Sequence, residues 1–224
     1  LHGIAIYQVI YDGTALYLGI FTSASLVSWI MVVFVLLANL RLPVRNTLVV
    51  ALPIAIGGTL LALGGRSSDA AMLPVSSMSD SLIWHIMISI VAYSILFMAA
   101  CHSVLLALLE HSLKTKRTFR FLRLLPPLQT METLLFNLLW AGIVALSLAI
   151  ATGFLFLDNM FEQRVVHHTV LALASWWVYA ILLAGHRILG WRGTTAVRWT
   201  LIAFSLLVLG YFGSKFVIEI LLES

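Results

Sequence analysis

The sequence predicts an all-α fold, a polytopic bundle of transmembrane helices, and three observations predict it. Seven apolar stretches, at residues 1–10, 18–40, 47–65, 82–109, 131–157, 169–188 and 199–222, are separated by short polar loops. A helix rises about 1.5 Å per residue, so about 20 apolar residues cross the hydrocarbon core, and all but the first stretch meet that length. Hydrophobic residues make up 62% of the chain and charged residues 10%, with a mean hydropathy of +1.06. A soluble domain is roughly half apolar and a quarter charged, so no water-soluble core accounts for such a chain. The third observation is that positive charge switches on and off from loop to loop.

That alternation fixes an orientation. Arg41 and Arg45 lie in one loop, Lys114, Lys116, Arg117, Arg120 and Arg123 in another, and Arg187, Arg192 and Arg198 in a third. The loops between them hold only Arg66 and Arg164, and carry Asp12, Asp69, Asp80, Asp158 and Glu162 instead. Basic loops stay cytoplasmic. Residues 11–17, 66–81 and 158–167 are therefore expected on the outer side, together with the C-terminus at Glu223 and Ser224. The location that follows is a bacterial inner membrane, crossed several times by a single transmembrane domain spanning residues 1–224. The net charge of +4 belongs to this loop bias and not to a nucleic-acid-binding face.

The stretches can be taken in order. The first begins at Leu1 without an initiator Met, so the N-terminus reads as truncated inside a helix, with about seven spans present and eight expected in the full chain. The outer segment 66–81 is rich in Ser, Met, Ala and Asp and is expected to be mobile unless a partner covers it. In the long cytoplasmic loop 111–130, Phe119, Phe121, Leu122 and Leu124 interleave with Lys116, Arg117, Arg120 and Arg123. That pattern suits either an amphipathic helix lying among anionic headgroups or a solvated basic loop. Pro126 and Pro127 then close it, and Gln129 to Glu132 opens the next span. In the last stretch, Lys215 and Glu219 are one helical turn apart and read as a local ion pair, not an ion path. The single cysteine, Cys101, lies inside a span, which excludes a disulfide framework, a thiol redox pair and a C-x-x-C-H haem attachment site.

Histidines carry whatever chemistry is present, because ionisable or ligating side chains are costly in hydrocarbon and mark functional positions there. His85 lies in the first turn of a span entered from outside, beside Trp84, which suits the outer aromatic belt. His167 and His168 open another span from the same side, and His2 sits on a span heading outward. His102 is about 26 Å deeper than His85 by helix rise, and His186 also lies near the cytoplasmic end of its span. Two histidine levels result, an outer and an inner one. Bis-histidine ligation of haem takes one imidazole from each of two facing helices, and the outer level offers His85 with His167 or His168. A histidine near a helix end equally serves as an interfacial residue bonded to backbone or water. His167 and His168 point to different helix faces, so one at most faces a given ligand. His111 reads as a solvated cytoplasmic residue.

Trp84-His85-Ile86, then Ser89 and Ala92-Tyr93-Ser94, resembles the "H-x-x-x-x-x-x-x-Y" span of the CcsA-type cytochrome c assembly proteins. The run from Glu132-Thr133-Leu134 to Thr152-Gly153 is similar to the span that follows the long cytoplasmic loop there. Trp176 or Trp177 with Tyr179, then His186-Arg187 and Trp191, resembles that family's "W…F-A-I-Y-L-H-x-R…W" helix, and Tyr211-Phe212-Gly213 its last-span "Y-F-G". Gly190-Trp191-Arg192-Gly193 and Tyr211 to Lys215 resemble most the inner-membrane YpjD branch of that family.

The resemblance implies a protein that binds haem b and presents it at the outer face for attachment to apocytochrome c, beside other cytochrome c assembly proteins. Such a protein is a carrier or chaperone and not a conventional enzyme. His85 corresponds to an outer haem ligand, and His186 to a ligand deep in the membrane. Two departures stand against this. The family's "W-G-x-x-W-x-W-D" outer run should lie between Gly153 and His168, where this chain reads FLFLDNMFEQRVVH without a Trp. A second outer histidine should fall near Leu222, where there is none. His167 is the substitute available. The alternative is a non-catalytic accessory subunit that kept the fold and binds another inner-membrane protein.

Overall fold

The computed structural model describes residues 15–17, 20–38, 56–57, 60, 72–74, 79–115, 126–156 and 166–210. Five helices account for most of them: α1 (Ile20–Ala38), α2 (Asp80–Thr115), α3 (Leu128–Phe156), α4 (Val166–Leu189) and α5 (Gly193–Val208). Two three-residue strands, β1 (Ala15–Tyr17) and β2 (Met72–Pro74), pair antiparallel with Leu16 opposite Leu73. Three helices, α2, α3 and α4, are long and apolar enough to cross a membrane. The stretches at 1–10 and most of 47–65, the basic run 116–125, the outer loop 157–165 and everything after Gly210 lie outside the described residues. So do His2, the Tyr211-Phe212-Gly213 run and the Lys215–Glu219 pair.

Helices α2 to α5 form a ring in which α2 packs on α3, α3 on α4, α4 on α5, and α5 back on α2, while α1 lies against α2 from outside. Contacts along each pair run in opposite chain directions, as short connections between successive helices require. Leu96 meets Gly142, Trp176 meets Ser147, and Ser175 meets Ala203. The core between the four helices is built from Leu96, Leu106, Leu135, Leu139, Tyr179, Leu182, Leu183 and Leu207. A Cβ at Gly142 would run into the Leu96 side chain, so a glycine is what lets α2 and α3 approach so closely. A smaller cluster of Met31 and Met98, flanked by Phe97 and Cys101, joins α1 to the ring.

Helix bounds differ from the apolar stretches in one consistent way: the helices extend into the polar flanks. Helix α2 continues to Thr115, where Lys114 pairs with Glu110 one turn back at 2.7 Å and meets the C-terminal dipole. Helix α3 starts at Leu128, as soon as Pro126 and Pro127 are passed, and Met131 N–H closes its first turn on the Pro127 carbonyl at 3.1 Å. Helix α5 starts at Gly193, six residues before the apolar run. The outer segment expected to be mobile contains β2, held by β1 from the preceding outer loop.

Candidate functional site

The sequence-predicted histidines fall into two tiers of the ring. In the outer tier, His85 comes from the first turns of α2 and its Nδ1 lies 3.1 Å from Thr152 Oγ1 on α3. The Thr152 hydroxyl donates to the Leu148 and Ala149 carbonyls of its own helix, at 2.9 and 3.0 Å. Its lone pair is therefore what faces the imidazole, and His85 donates through Nδ1–H. In that neutral tautomer the other nitrogen, Nε2, carries a lone pair. A ring fixed in this way is how ligating histidines are held.

His168 enters the same tier from the first turn of α4, across the ring from α2. It sits near enough to His85 for the two rings to repel when both are charged. Its ring lies against the backbone of Gly210, where α5 ends, and a Cβ there would approach Leu171 Cβ to 3.2 Å. Residue 210 is thus small because helix and histidine share its space. His167 lies in the same turn of α4, and its side chain is outside what the structure describes. Trp84 is 66% exposed on the rim, as an outer-belt residue is. Two turns below His85, Tyr93 Oη donates to the Leu207 carbonyl at 3.4 Å, tying α2 to α5 under the tier.

The inner tier is organised around the start of α3. His102 is 3% exposed, and its Nε2–H donates to the Met131 carbonyl at 3.0 Å. His186 donates from Nδ1 to the Trp191 carbonyl at 2.8 Å and stacks on Phe136 with centroids 3.4 Å apart. A carbonyl only accepts, so these tautomers follow from the partners. The loop between α4 and α5 makes the second bond possible. Gly190 takes φ +68°, the left-handed conformation that ends helices, and Trp191 turns back so that its N–H reaches the Gly185 carbonyl. The Trp191 ring covers Gly185 where any side chain would clash, and stacks on Trp199. Gly193, at φ +53°, gives its N–H to Glu132 Oε1 of α3 at 2.9 Å. Arg187 lies over the Trp140 ring, 4.5 Å from its centre. His111 is exposed near the end of α2.

Sequence reasoning did not find Thr152 as the partner of His85, nor the Glu132–Gly193 bond. Thr152 was visible only as part of a resemblance. Its spacing signal is weak, because the bond joins residues 67 apart on two helices.

With this geometry in place the comparisons can be weighed. The profile of the cytochrome C assembly protein family matches residues 1–222. The chain belongs to that family. It is 33% identical over 143 residues to the inner membrane protein YpjD of Escherichia coli, covering 64% of this chain and 54% of that protein. A 28.8 kDa protein of Azospirillum brasilense is 37% identical over 170 residues, 73% of this chain and 63% of the relative. The protein HemX of Brevibacillus brevis is 26% identical over 178 residues, 75% and 64% respectively. The matched region therefore spans between about half and two thirds of each relative. No solved structure gives a significant match. Membership and the long apolar helices make this a membrane protein of the cytochrome c assembly family.

Proposed function

We propose that this protein handles haem b near the outer face of the bacterial inner membrane, in cytochrome c maturation, as a carrier and not as an enzyme. The observation that carries the reading is the outer tier: imidazoles from α2 and α4, two helices that do not neighbour each other in the ring, converge at one level. His85 and His168 are the residues that would hold the iron, His85 through Nε2 because Thr152 engages Nδ1. The donor set fits, since two neutral imidazoles from separate helices are what bis-histidine ligation takes. Haem bound there supplies the group presented for attachment to an apocytochrome. This chain's part is to orient the rings and keep them neutral in apolar surroundings. His2 and His167 remain alternative opposing ligands. A second haem at the inner tier would take His186 through Nε2, because Trp191 engages its Nδ1 and Met131 engages His102 Nε2.

The reading includes seven spans in this stretch, with Glu223 on the outer side, lipid around the bundle and other cytochrome c assembly proteins as partners. The β1–β2 pairing supports it, because the two loops that charge assigns to the outer side are the two that pair. One sequence observation favours the accessory-subunit alternative, namely the lack of any Trp between residues 154 and 167. The visible spectrum of the purified full-length protein decides between them. A Soret band that weakens or shifts in His85→Ala and His168→Ala, and is unchanged in His111→Ala, is expected. A protein that carries no haem and takes up none when it is supplied is an accessory subunit, and the carrier reading is then wrong.

A further inference from the structure

Tyr179 and Thr200 are fully buried, and neither hydroxyl has a hydrogen-bond partner among the described residues. The packing register brings them to one level. Ser175 Oγ donates to the Ala203 carbonyl at 2.7 Å, joining α4 to α5. Tyr179 follows Ser175 by four residues and Thr200 precedes Ala203 by three, on helices that run antiparallel. Residues three and four apart share a helix face. Both side chains therefore stand one turn deeper than that bond, on the two faces already in contact. Leu182, Leu183, Ala196, Ala203 and Leu207 are all buried around them. By helix rise this level lies roughly 16 Å below His168 and 10 Å above His186, between the tiers.

An orphaned hydroxyl in an apolar core is destabilising, and native proteins satisfy such groups with internal water that has two to four polar partners. We propose that Tyr179 and Thr200 hold one buried water between them, a hydration site at mid-depth in the four-helix ring. The Tyr179 phenol donates to the water, and the water donates to Thr200 Oγ1. The inference is independent of haem, since it rests on two hydroxyls and the α4–α5 register.

Tyr179→Phe and Thr200→Val each remove an oxygen while keeping the side chain's shape, so a double-mutant cycle reads the shared water directly. Thermal unfolding of the full-length protein in detergent is the measurement. Each single variant is expected to lower Tm by a few degrees, and the double variant to fall no further, because the water leaves with the first hydroxyl. An additive cycle overturns the proposal, whichever sign the single effects take, because two independent hydroxyls share nothing. If a variant fails to fold, X-ray radiolytic labelling of the wild-type protein tests the same point. Radicals made from a bound water should oxidise Tyr179 despite its burial while sparing Leu182 and Leu183, and an unlabelled Tyr179 overturns the proposal.

Discussion

A histidine's role follows from which ring nitrogen its neighbours engage. His102 gives Nε2–H to the Met131 carbonyl at a fully enclosed position, so it serves to join α2 to α3. His102→Ala should destabilise the protein by about 2–4 kcal/mol through the lost bond and the cavity, with the Soret band of any haem unchanged. Thermal melts and spectra on the same sample check both halves, and a lost band in a folded variant would assign His102 to a ligand set. Gly142 is decided by space alone, since its would-be Cβ meets Leu96. Gly142→Ala should cost about 1–3 kcal/mol, as overpacking a core does, and lower Tm accordingly. Depth was readable from residue numbers for every histidine, because helix rise is fixed. The hydrogen-bond partner was not, because Met131, Thr152 and Trp191 reach their histidines through tertiary packing that sequence spacing does not encode.

Helix ends show the same division between local and tertiary information. The start of α3 after Pro126 and Pro127 is local chemistry, since proline lacks the N–H that a helix interior needs. The start of α5 at Gly193, ahead of the apolar run, is not. It depends on Glu132 of α3 accepting the Gly193 N–H at 2.9 Å, with a carboxylate placed at the positive end of the α5 dipole. Hydropathy begins the span at Trp199 because it measures lipid contact, whereas the helix begins where its free N–H groups find a partner. Glu132→Ala should therefore cost about 1–2 kcal/mol and speed amide exchange over the first turn of α5, while leaving the middle of α4 protected. The Lys114–Glu110 pair is solvent-facing on the lysine side, with Lys114 66% exposed. Lys114→Ala should consequently change Tm by no more than a degree or so.

For the molecule as a whole, charge alternation assigns sides to loops, and the strand pairing adds a physical constraint to that assignment. Two segments cannot pair across a bilayer, so β1 and β2 must lie on one side, and positive charge elsewhere makes that side the outer one. Paired strand residues stand about 4.5–5.5 Å apart at Cα, within reach of a disulfide. Leu16→Cys with Leu73→Cys, in a background with Cys101→Ala, should cross-link during growth without added oxidant, because the outer compartment is oxidising and the cytoplasm is not. Leu16→Cys with Met72→Cys, one residue out of register, should cross-link less. In the same background a single Cys at Ser68 should react with a membrane-impermeant maleimide in intact cells, and one at Thr115 only after the membrane is opened. A Leu16–Leu73 pair that stays reduced in cells but oxidises in lysate would move both loops to the cytoplasm. The Ser68 and Thr115 labels would then exchange, and the outer histidine tier would face the wrong compartment for presenting haem.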